Sequence, residues 1–168
     1  DVYKRQTFVS ANLAAVIAQA GQRVLVIDAD MRKGTLHKIL GVSHQKGLSD
    51  ILGGKLAVDE AIQPVPGVDS MHYMVRGDIP PNPAELLMHP RFAQMLNDLA
   101  GRYDLVIVDT PPILAVTDPA LVATHAGSSL LVTRFGVNQA KEIELTLQRF
   151  EQNLSLIHIS EPTRLRRI

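Results

Sequence analysis

The stretch Val24 to Arg32, V-L-V-I-D-A-D-M-R, decides the fold. Its leading apolar run, rich in β-branched residues, predicts a strand buried on both faces, as a parallel sheet between helices requires. Asp28 and Asp30 follow at once, so we expect them at the carboxyl end of that strand, where open α/β sheets bind ligands. Alternation along an extended segment would point both carboxylates the same way.

A second apolar strand, Leu105 to Val108, ends in the same manner. Asp109 follows it directly, and Thr110, Pro111 and Pro112 come next. Carboxylates at the ends of two buried strands suggest a hard-cation site that serves a phosphate ligand, because oxygen ligands suit such cations.

The remaining pattern alternates helices and strands. The predicted elements are a helix from Thr7 to Ala20 ended by Gly21, short helices at 36–40 and 47–52, a strand at 71–75, a helix capped by Asn82 and Glu85 that breaks at Pro90 and resumes to Ala100, a helix from Asp118, a strand from Ser129 to Thr133, and a helix from about 140 to 152. This order predicts a doubly wound α/β fold: a mostly parallel sheet with helices on both faces, of the P-loop NTPase type but incomplete.

Composition excludes several classes of function. The 168 residues suffice for one domain, and 17 basic side chains balance 17 acidic ones, so we expect no nucleic-acid partner. There is no cysteine for a disulfide or a thiolate metal site, and the six histidines are scattered. No apolar run reaches the roughly 18 residues of a membrane span, so we expect a soluble domain.

Both ends of the sequence depart from the pattern. Residues 1–6, D-V-Y-K-R-Q, fit no predicted element, and residues 154–168 break the alternation. Both segments resemble translated sequencing-adapter DNA. We therefore interpret 1–6 and 154–168 as non-native ends that flank a partial P-loop kinase or ATPase domain at 7–153.

Several segments together resemble a known family. They are T-F-V at the start of a helix, V-L-V-I-D-A-D-M-R-K-G, G-L-S-D-I-L, P-P-N-P-A-E-L-L and Y-D-L-V-I-V-D-T-P-P. This set resembles the cytoplasmic kinase domain of bacterial tyrosine kinases, the polysaccharide co-polymerase autokinases of the deviant-Walker P-loop ATPase superfamily. Acidic strand ends also occur in septum-positioning and partition ATPases, whereas G-L-S-D-I-L and P-P-N-P-A-E-L-L are more specific.

The resemblance implies ATP and Mg²⁺ as cofactors and assigns roles to individual residues. Asp28-Ala29-Asp30-x-Arg32 resembles the second, deviant Walker A motif, the strand ending at Asp109 resembles Walker B, and Thr7 resembles the threonine that ends the first Walker A. The implied metal ligands are Thr7, Asp28 and Asp109, and the implied nucleotide-binding residues are Thr7, Arg32, Asp109 and Pro111. Asp28 is the implied catalytic base, with Asp30 its nearest competitor. On the residues alone, Arg32 is either a surface arginine or a contact to phosphate or to a neighbouring subunit.

The resemblance also implies partners and a location. Such domains form homo-oligomeric rings in which one subunit phosphorylates a tyrosine-rich tail of its neighbour. A membrane co-polymerase region, or an activator subunit, recruits them to the cytoplasmic face of the bacterial plasma membrane. The implied function is autokinase control of capsular and exopolysaccharide synthesis and export.

The sequence departs from the family at the phosphate-binding loop. Such a loop needs glycines, so that backbone N–H groups face the phosphates, and a lysine that reaches the β and γ oxygens. Lys4-Arg5-Gln6 stands there instead, with Gln6 in place of the lysine. The preceding strand, the last sheet strand, the adenine-reading asparagine and the tyrosine cluster are also missing from this sequence. We therefore expect this chain itself to be a very poor kinase.

Three other functions fit parts of the pattern. A positioning ATPase shares the acidic strand ends, and a non-catalytic docking module for a polysaccharide-export membrane protein would need none of the chemistry. A phospho-receiver domain also clusters acids at strand ends. It requires a lysine at the end of a later strand, where this sequence has Arg134-Phe135-Gly136 after Thr133.

Overall fold

The computed structural model describes the backbone of residues 2–133 and 138–153, and the side chains of residues 6–133 and 138–152. The tripeptide Arg134-Phe135-Gly136 and the segment 154–168 lie outside the described residues. The interpretation of 154–168 as a non-native end therefore stays a prediction.

A mostly parallel sheet of four strands forms the centre of the described chain. Its strands are β1 Val24–Asp28, β2 Gln63–Val65, β3 Val68–Met74 and β4 Leu105–Asp109. Within the described residues the sheet order is β2-β3-β1-β4, with β1 parallel to both β3 and β4, and β2 antiparallel to β3. Every residue of β1 is buried, as its continuous apolar run predicts.

Helices cover both faces of this sheet. They are α1 Val2–Gln19, α2 Leu36–Ile39, α3 Leu48–Leu52, α4 Val58–Ala61, α5 Pro83–Met88, α6 Pro90–Ala100, α7 Asp118–Ala123 and α8 Ala140–Asn153. Leu25 and Ile27 of β1 face one core, which includes Phe92 of α6, and Val24 and Val26 face the other core with α1. The predicted α/β class, a mostly parallel sheet with helices on both faces, is confirmed.

The described helices include no candidate for a membrane span. Among the helices that the structure describes, none combines the length and the apolar character that crossing a bilayer demands.

The predicted strand from Ser129 to Thr133 is wrong. These residues form no strand, and Leu130 is 70% exposed. An apolar run becomes a strand only where a neighbouring strand pairs with its backbone, and in the described chain β4 pairs on one side alone, with β1. The segment stands apart from β4 across an open cleft.

Local differences have local causes. The Pro-rich connection contains the short strand β2, which tolerates Pro64 because an edge strand does not need every N–H, and Gly67 turns the hairpin at φ +79°.

The first helix begins at Val2, although residues 1–6 fit no predicted element. The predicted capping box is wrong, since the Asn82 side chain caps no backbone N–H and donates to the Glu85 carboxylate instead. Helix α4 is a further element that the pattern did not predict.

Candidate functional site

The predicted acidic strand ends lie side by side. Asp28 and Asp109 are register partners at the carboxyl ends of the parallel strands β1 and β4. The Ala29 N–H donates to the Asp109 carbonyl oxygen at 2.8 Å, which ties the two strand ends together just beyond the ladder. Neighbouring strands lie about 4.8 Å apart, so the two carboxylates share one edge of the sheet.

Asp28 is fully buried and held by backbone groups. Its Oδ1 accepts the Asp30 N–H at 3.2 Å, and its Oδ2 accepts the Leu36 N–H at 3.1 Å. Burial raises the pKa of Asp28 to about 7, and the nearby negative charges of Asp109 and Asp30 act in the same direction against these hydrogen bonds. A carboxylate with a pKa near neutrality is suited to accept a proton and release it again.

Gly34 makes room for the Asp28 carboxylate. A Cβ at Gly34 would lie 2.4 Å from Asp28 Oδ1 and 2.5 Å from Oδ2. Any side chain there would displace the carboxylate, because these separations are far below van der Waals contact. Sequence reasoning placed Gly34 in a loop and missed this role; a glycine closely following an acidic strand end is the signal that points to it.

Two hydroxyl groups of α1 hold Asp109. Thr7 Oγ1 donates to Asp109 Oδ2 at 2.6 Å, and Ser10 Oγ donates to Oδ1 at 2.8 Å. Burial raises the pKa of Asp109, while these hydroxyl donors act in the opposite direction. Thr7 and Ser10 are three positions apart and therefore on one face of the helix. Sequence reasoning missed Ser10, although this spacing from Thr7 was visible.

Asp30 organises its own loop. Its Oδ1 accepts the N–H groups of Arg32 at 3.1 Å and Lys33 at 2.9 Å, and the residue is 8% exposed. Its charge acts on the pKa values of both Asp28 and Asp109, so the three carboxylates are electrostatically close. The oxygen atoms of Asp28 and Asp30 nevertheless accept hydrogen bonds from different parts of the loop.

Arg32 reaches towards a helix that the predicted site did not include. Its Nε donates to Asp118 Oδ2 at 3.0 Å and its Nη2 to Oδ1 at 3.3 Å, and Asp118 is fully buried at the start of α7. The Arg32 carbonyl oxygen also accepts from Arg76 Nη1 at 3.2 Å. Sequence reasoning read Asp118 only as a helix opener and missed this pair. Pro111 is buried in the connection that follows β4.

A cation at this site would meet only oxygen donors. Thr7, Asp28 and Asp109 offer a hydroxyl and two carboxylates, which is the donor type that Mg²⁺ prefers. No group of three or more acidic, histidine or cysteine side chains is placed to hold a metal ion in the part of the chain that the structure describes. The fit therefore rests on two carboxylates and a hydroxyl, and Mg²⁺ commonly completes such partial protein sites with water and substrate phosphates.

The family of the chain follows from its sequence match. Residues 5–142 match the family model described as an AAA domain. The chain belongs to the AAA domain family. This domain is 53% identical over 148 residues to the tyrosine-protein kinase wzc of Salmonella typhimurium, a match that covers 88% of the chain and 20% of that relative. It thus spans about a fifth of the length of this curated relative.

Solved structures support the same fold. The AAA domain superposes on the kinase domain of the Escherichia coli tyrosine kinase ETK with a TM-score of 0.84 and 53% identity, covering 88% of this chain and 57% of that one. The septum site-determining protein MinD of Pyrococcus horikoshii, solved with Mg-ADP, gives a TM-score of 0.53 at 25% identity, covering 63% of this chain and 43% of that one. The AAA domain thus has the fold of P-loop nucleotide-binding proteins and is homologous to tyrosine-protein kinases.

Proposed function

We propose that this AAA domain is part of an ATP-dependent protein-tyrosine autokinase that regulates capsular and exopolysaccharide synthesis and export. The observation that carries the proposal is the buried pair Asp28 and Asp109, side by side on parallel strands with the Thr7 hydroxyl on Asp109. Its sequence likeness to proteins named tyrosine-protein kinases supports the choice of acceptor.

Each residue of the site has a distinct role in this proposal. Asp28 takes the proton from an incoming tyrosine hydroxyl. The tyrosine oxygen attacks the γ-phosphorus of ATP, and ADP leaves. Asp30 is the nearest alternative base. A pKa of about 7 suits Asp28 to this exchange. Thr7, Asp28 and Asp109 would hold Mg²⁺, which neutralises phosphate charge when bound. The proposed nucleotide-binding residues are Thr7, Arg32, Asp109 and Pro111.

The phosphate-binding side limits the activity of this chain. A helix occupies residues 2–19, and Gln6 stands where the family has a lysine. Helical N–H groups beyond the first turn bond within the helix and are not offered to a phosphate as a glycine-rich loop offers them. We therefore expect weak nucleotide binding and very poor transfer from this chain by itself.

The proposed setting is a homo-oligomeric ring on the cytoplasmic face of the bacterial plasma membrane. Neighbouring subunits would supply the tyrosine acceptors, and a membrane co-polymerase region or activator subunit would recruit the ring. The likeness to tyrosine-protein kinases is the basis for proposing both partners, and direct measurements of assembly test them.

Titration calorimetry with ATP tests the nucleotide site. We would compare the chain with a version in which a strand and a glycine-rich, lysine-containing loop replace residues 1–6 and lead directly into Thr7, each with and without Mg²⁺. The restored version should bind only with Mg²⁺, and Asp28→Asn with Asp109→Asn should weaken that binding at least tenfold. If the restored version folds by circular dichroism and does not bind, the nucleotide assignment is wrong and the docking-module alternative gains support.

A positioning ATPase is the second candidate, because the MinD structure shares the fold at lower similarity. The two functions differ in the product. Phosphotyrosine on a tyrosine-containing tail, measured with the restored version, supports the kinase. ATP hydrolysis without phosphotyrosine on that tail supports the positioning ATPase instead.

A further inference from the structure

A turn of the chain, residues 75–78, follows β3 and lies against the start of α3. We call it the β3 turn. The Leu48 N–H donates to the Val75 carbonyl oxygen at 2.9 Å. The Ser49 N–H donates to the Arg76 carbonyl oxygen at 2.8 Å. The first N–H groups of a helix have no partner within the helix itself, so α3 uses two of them to hold the β3 turn.

The Asp50 carboxylate joins the same two segments through its side chain. Its Oδ2 accepts the Gly47 N–H at 2.9 Å and the Asp78 N–H at 3.3 Å, and the residue is 2% exposed. The Ser49 hydroxyl donates to the Asp78 carbonyl oxygen at 2.6 Å. Side chains of the segment G-L-S-D-I-L, residues 47–52, therefore bond the last residue of the β3 turn at both its N–H and its carbonyl group.

Two glycines allow the β3 turn and α3 to come this close. Gly77 has a φ of +81°, and a Cβ there would overlap Asp50 Oδ2 and lie 2.6 Å from Ser49 Oγ. A Cβ at Gly47 would overlap the Val75 carbonyl group. No side chain fits between the two segments at these positions, so the β3 turn and the start of α3 are in direct backbone contact.

Arg76 extends from the β3 turn to the loop that follows β1. Its Nη1 donates to the Arg32 carbonyl oxygen at 3.2 Å. The pKa of His37 in α2 is lowered mainly by burial, and the charge of Arg76 contributes to this shift. The Arg76 Nε is buried and has no partner among the described residues, so the guanidinium lies against the protein. Arg76 therefore bridges the β3 turn and the loop between β1 and α2.

Three groups from three segments hold Arg32. Asp30 accepts its N–H at 3.1 Å and Asp118 accepts its Nε at 3.0 Å. Arg76 holds its carbonyl oxygen. This last hydrogen bond is exposed and adds modestly to stability, but it fixes the backbone from which the Arg32 side chain extends.

We propose that Asp50 is a positioning residue for Arg32 and acts through the β3 turn and Arg76. The segment G-L-S-D-I-L thereby determines where the loop after β1 presents its arginine. The importance of this placement for the nucleotide rests on the proposed function, in which Arg32 binds the nucleotide. The contacts themselves are present in the chain without nucleotide, so they are tested separately.

Amide hydrogen exchange in the full chain tests the positioning. The N–H groups of Arg32 and Lys33 donate to Asp30, and their exchange reports how often this loop opens. Arg76→Met should accelerate exchange at both amides roughly fivefold, because the loop loses one hydrogen bond from a charged donor.

Arg91→Met is the matched control. Arg91 Nη1 also donates to a backbone carbonyl oxygen, that of Leu52 at the end of α3. Its loss should leave exchange at Arg32 and Lys33 unchanged. Equal exchange at these two amides in Arg76→Met and in the parent chain would overturn the proposal.

A second variant distinguishes positioning from general support of the fold. Asp50→Ala should accelerate exchange at Arg32 as much as Arg76→Met does, and combining the two should add nothing, because both act through one contact. Asp50→Asn keeps an oxygen acceptor and should restore the parent rate. An effect of Asp50→Ala that is equally large in the Arg76→Met background overturns the proposal. If Asp50→Ala does not fold, Ser49→Ala, which removes the donor to Asp78, takes its place.

Titration calorimetry separates this inference from the proposed function. In the restored version, Arg76→Met and Asp50→Ala should each weaken the binding of ATP with Mg²⁺ roughly fivefold, and Arg91→Met should not. If the restored version binds ATP and Arg76→Met binds it equally well, the positioning role is overturned. If the restored version does not bind ATP, the proposed function fails, and exchange at Arg32 and Lys33 decides the positioning alone.

Discussion

The Thr7 hydroxyl lies 2.6 Å from the Asp109 carboxylate, although 102 positions separate the two residues in sequence. This hydrogen bond joins the first turns of α1 to the end of β4. Ser10 adds a second bond to the same carboxylate at 2.8 Å. The helix and the strand end are thus fixed to each other by polar groups, and two of these, Thr7 and Asp109, are also the predicted ligands of the site.

Thr7→Val should destabilise the fold by about 1–3 kcal/mol, because it leaves a buried carboxylate oxygen without its donor at nearly constant volume. The free energy of urea unfolding at pH 7 measures this cost. Ser10→Ala removes the donor of a partly buried pair and should cost less. Equal stability of Thr7→Val and the parent chain would contradict the assigned contact.

Asp28 should make stability depend on pH. Its pKa is raised from 3.8 in the unfolded chain to about 7 in the fold, mainly by burial. Between these values the folded state keeps a proton that the unfolded state has lost. The stabilising contribution is therefore fully present below about pH 4 and is lost as the pH rises through about 7.

Asp28→Asn removes this titration, so its stability relative to the parent should increase from pH 4 to pH 8 by up to about 4 kcal/mol, at about 1.4 kcal/mol for each pH unit between the two pKa values. Chemical unfolding across this pH range measures the difference. Asp69→Asn at an exposed position is the matched control and should leave the profile unchanged. An equal stability difference between Asp28→Asn and the parent at all pH values would show that burial does not raise the pKa of Asp28.

The Arg32 and Asp118 pair should have a measurable coupling energy. Asp118 is 1% exposed in its side chain and Arg32 is 43% exposed, so solvent screens one partner and not the other. Arg32→Ala leaves a buried charge uncompensated and should cost about 2–3 kcal/mol, near the lower end for a broken buried pair. A double-mutant cycle with Asp118→Asn should give a coupling of about 1 kcal/mol or more. Additive effects would indicate that the two side chains do not interact in solution.

Gly47→Ala should be among the most damaging conservative substitutions. Its Cβ would lie 1.9 Å from the Val75 carbonyl oxygen, and backbone must move to relieve this overlap. We expect a loss of roughly 2–4 kcal/mol, as for severe overpacking. Gly101→Ala is the control, since its Cβ would meet Asp98 O at an ordinary 3.5 Å and should change stability little. Thermal unfolding of both variants distinguishes the positions.

The sequence predicts an element correctly where the residues of that element alone determine its structure. The apolar runs that end at Asp28 and Asp109 predict both strands and their acidic ends. β1 is buried throughout, as such a run requires, whereas residues 105–108 of β4 are only partly buried because they line the open cleft. Prediction failed where a partner decides the outcome. The apolar run at 129–133 lacks a neighbouring strand in the described chain. The pair between Arg32 and Asp118 spans 86 positions, which no local pattern encodes.

The two margins of the sheet differ in how many partners they admit. At one margin β2 is three residues long and carries Pro64, which has no N–H to donate. The other margin, along β4, is open in the described chain. A chain with one open sheet edge can pair with only one other chain through that edge. Self-association through that side would therefore stop at a pair of chains, because a fibre requires pairing along both margins.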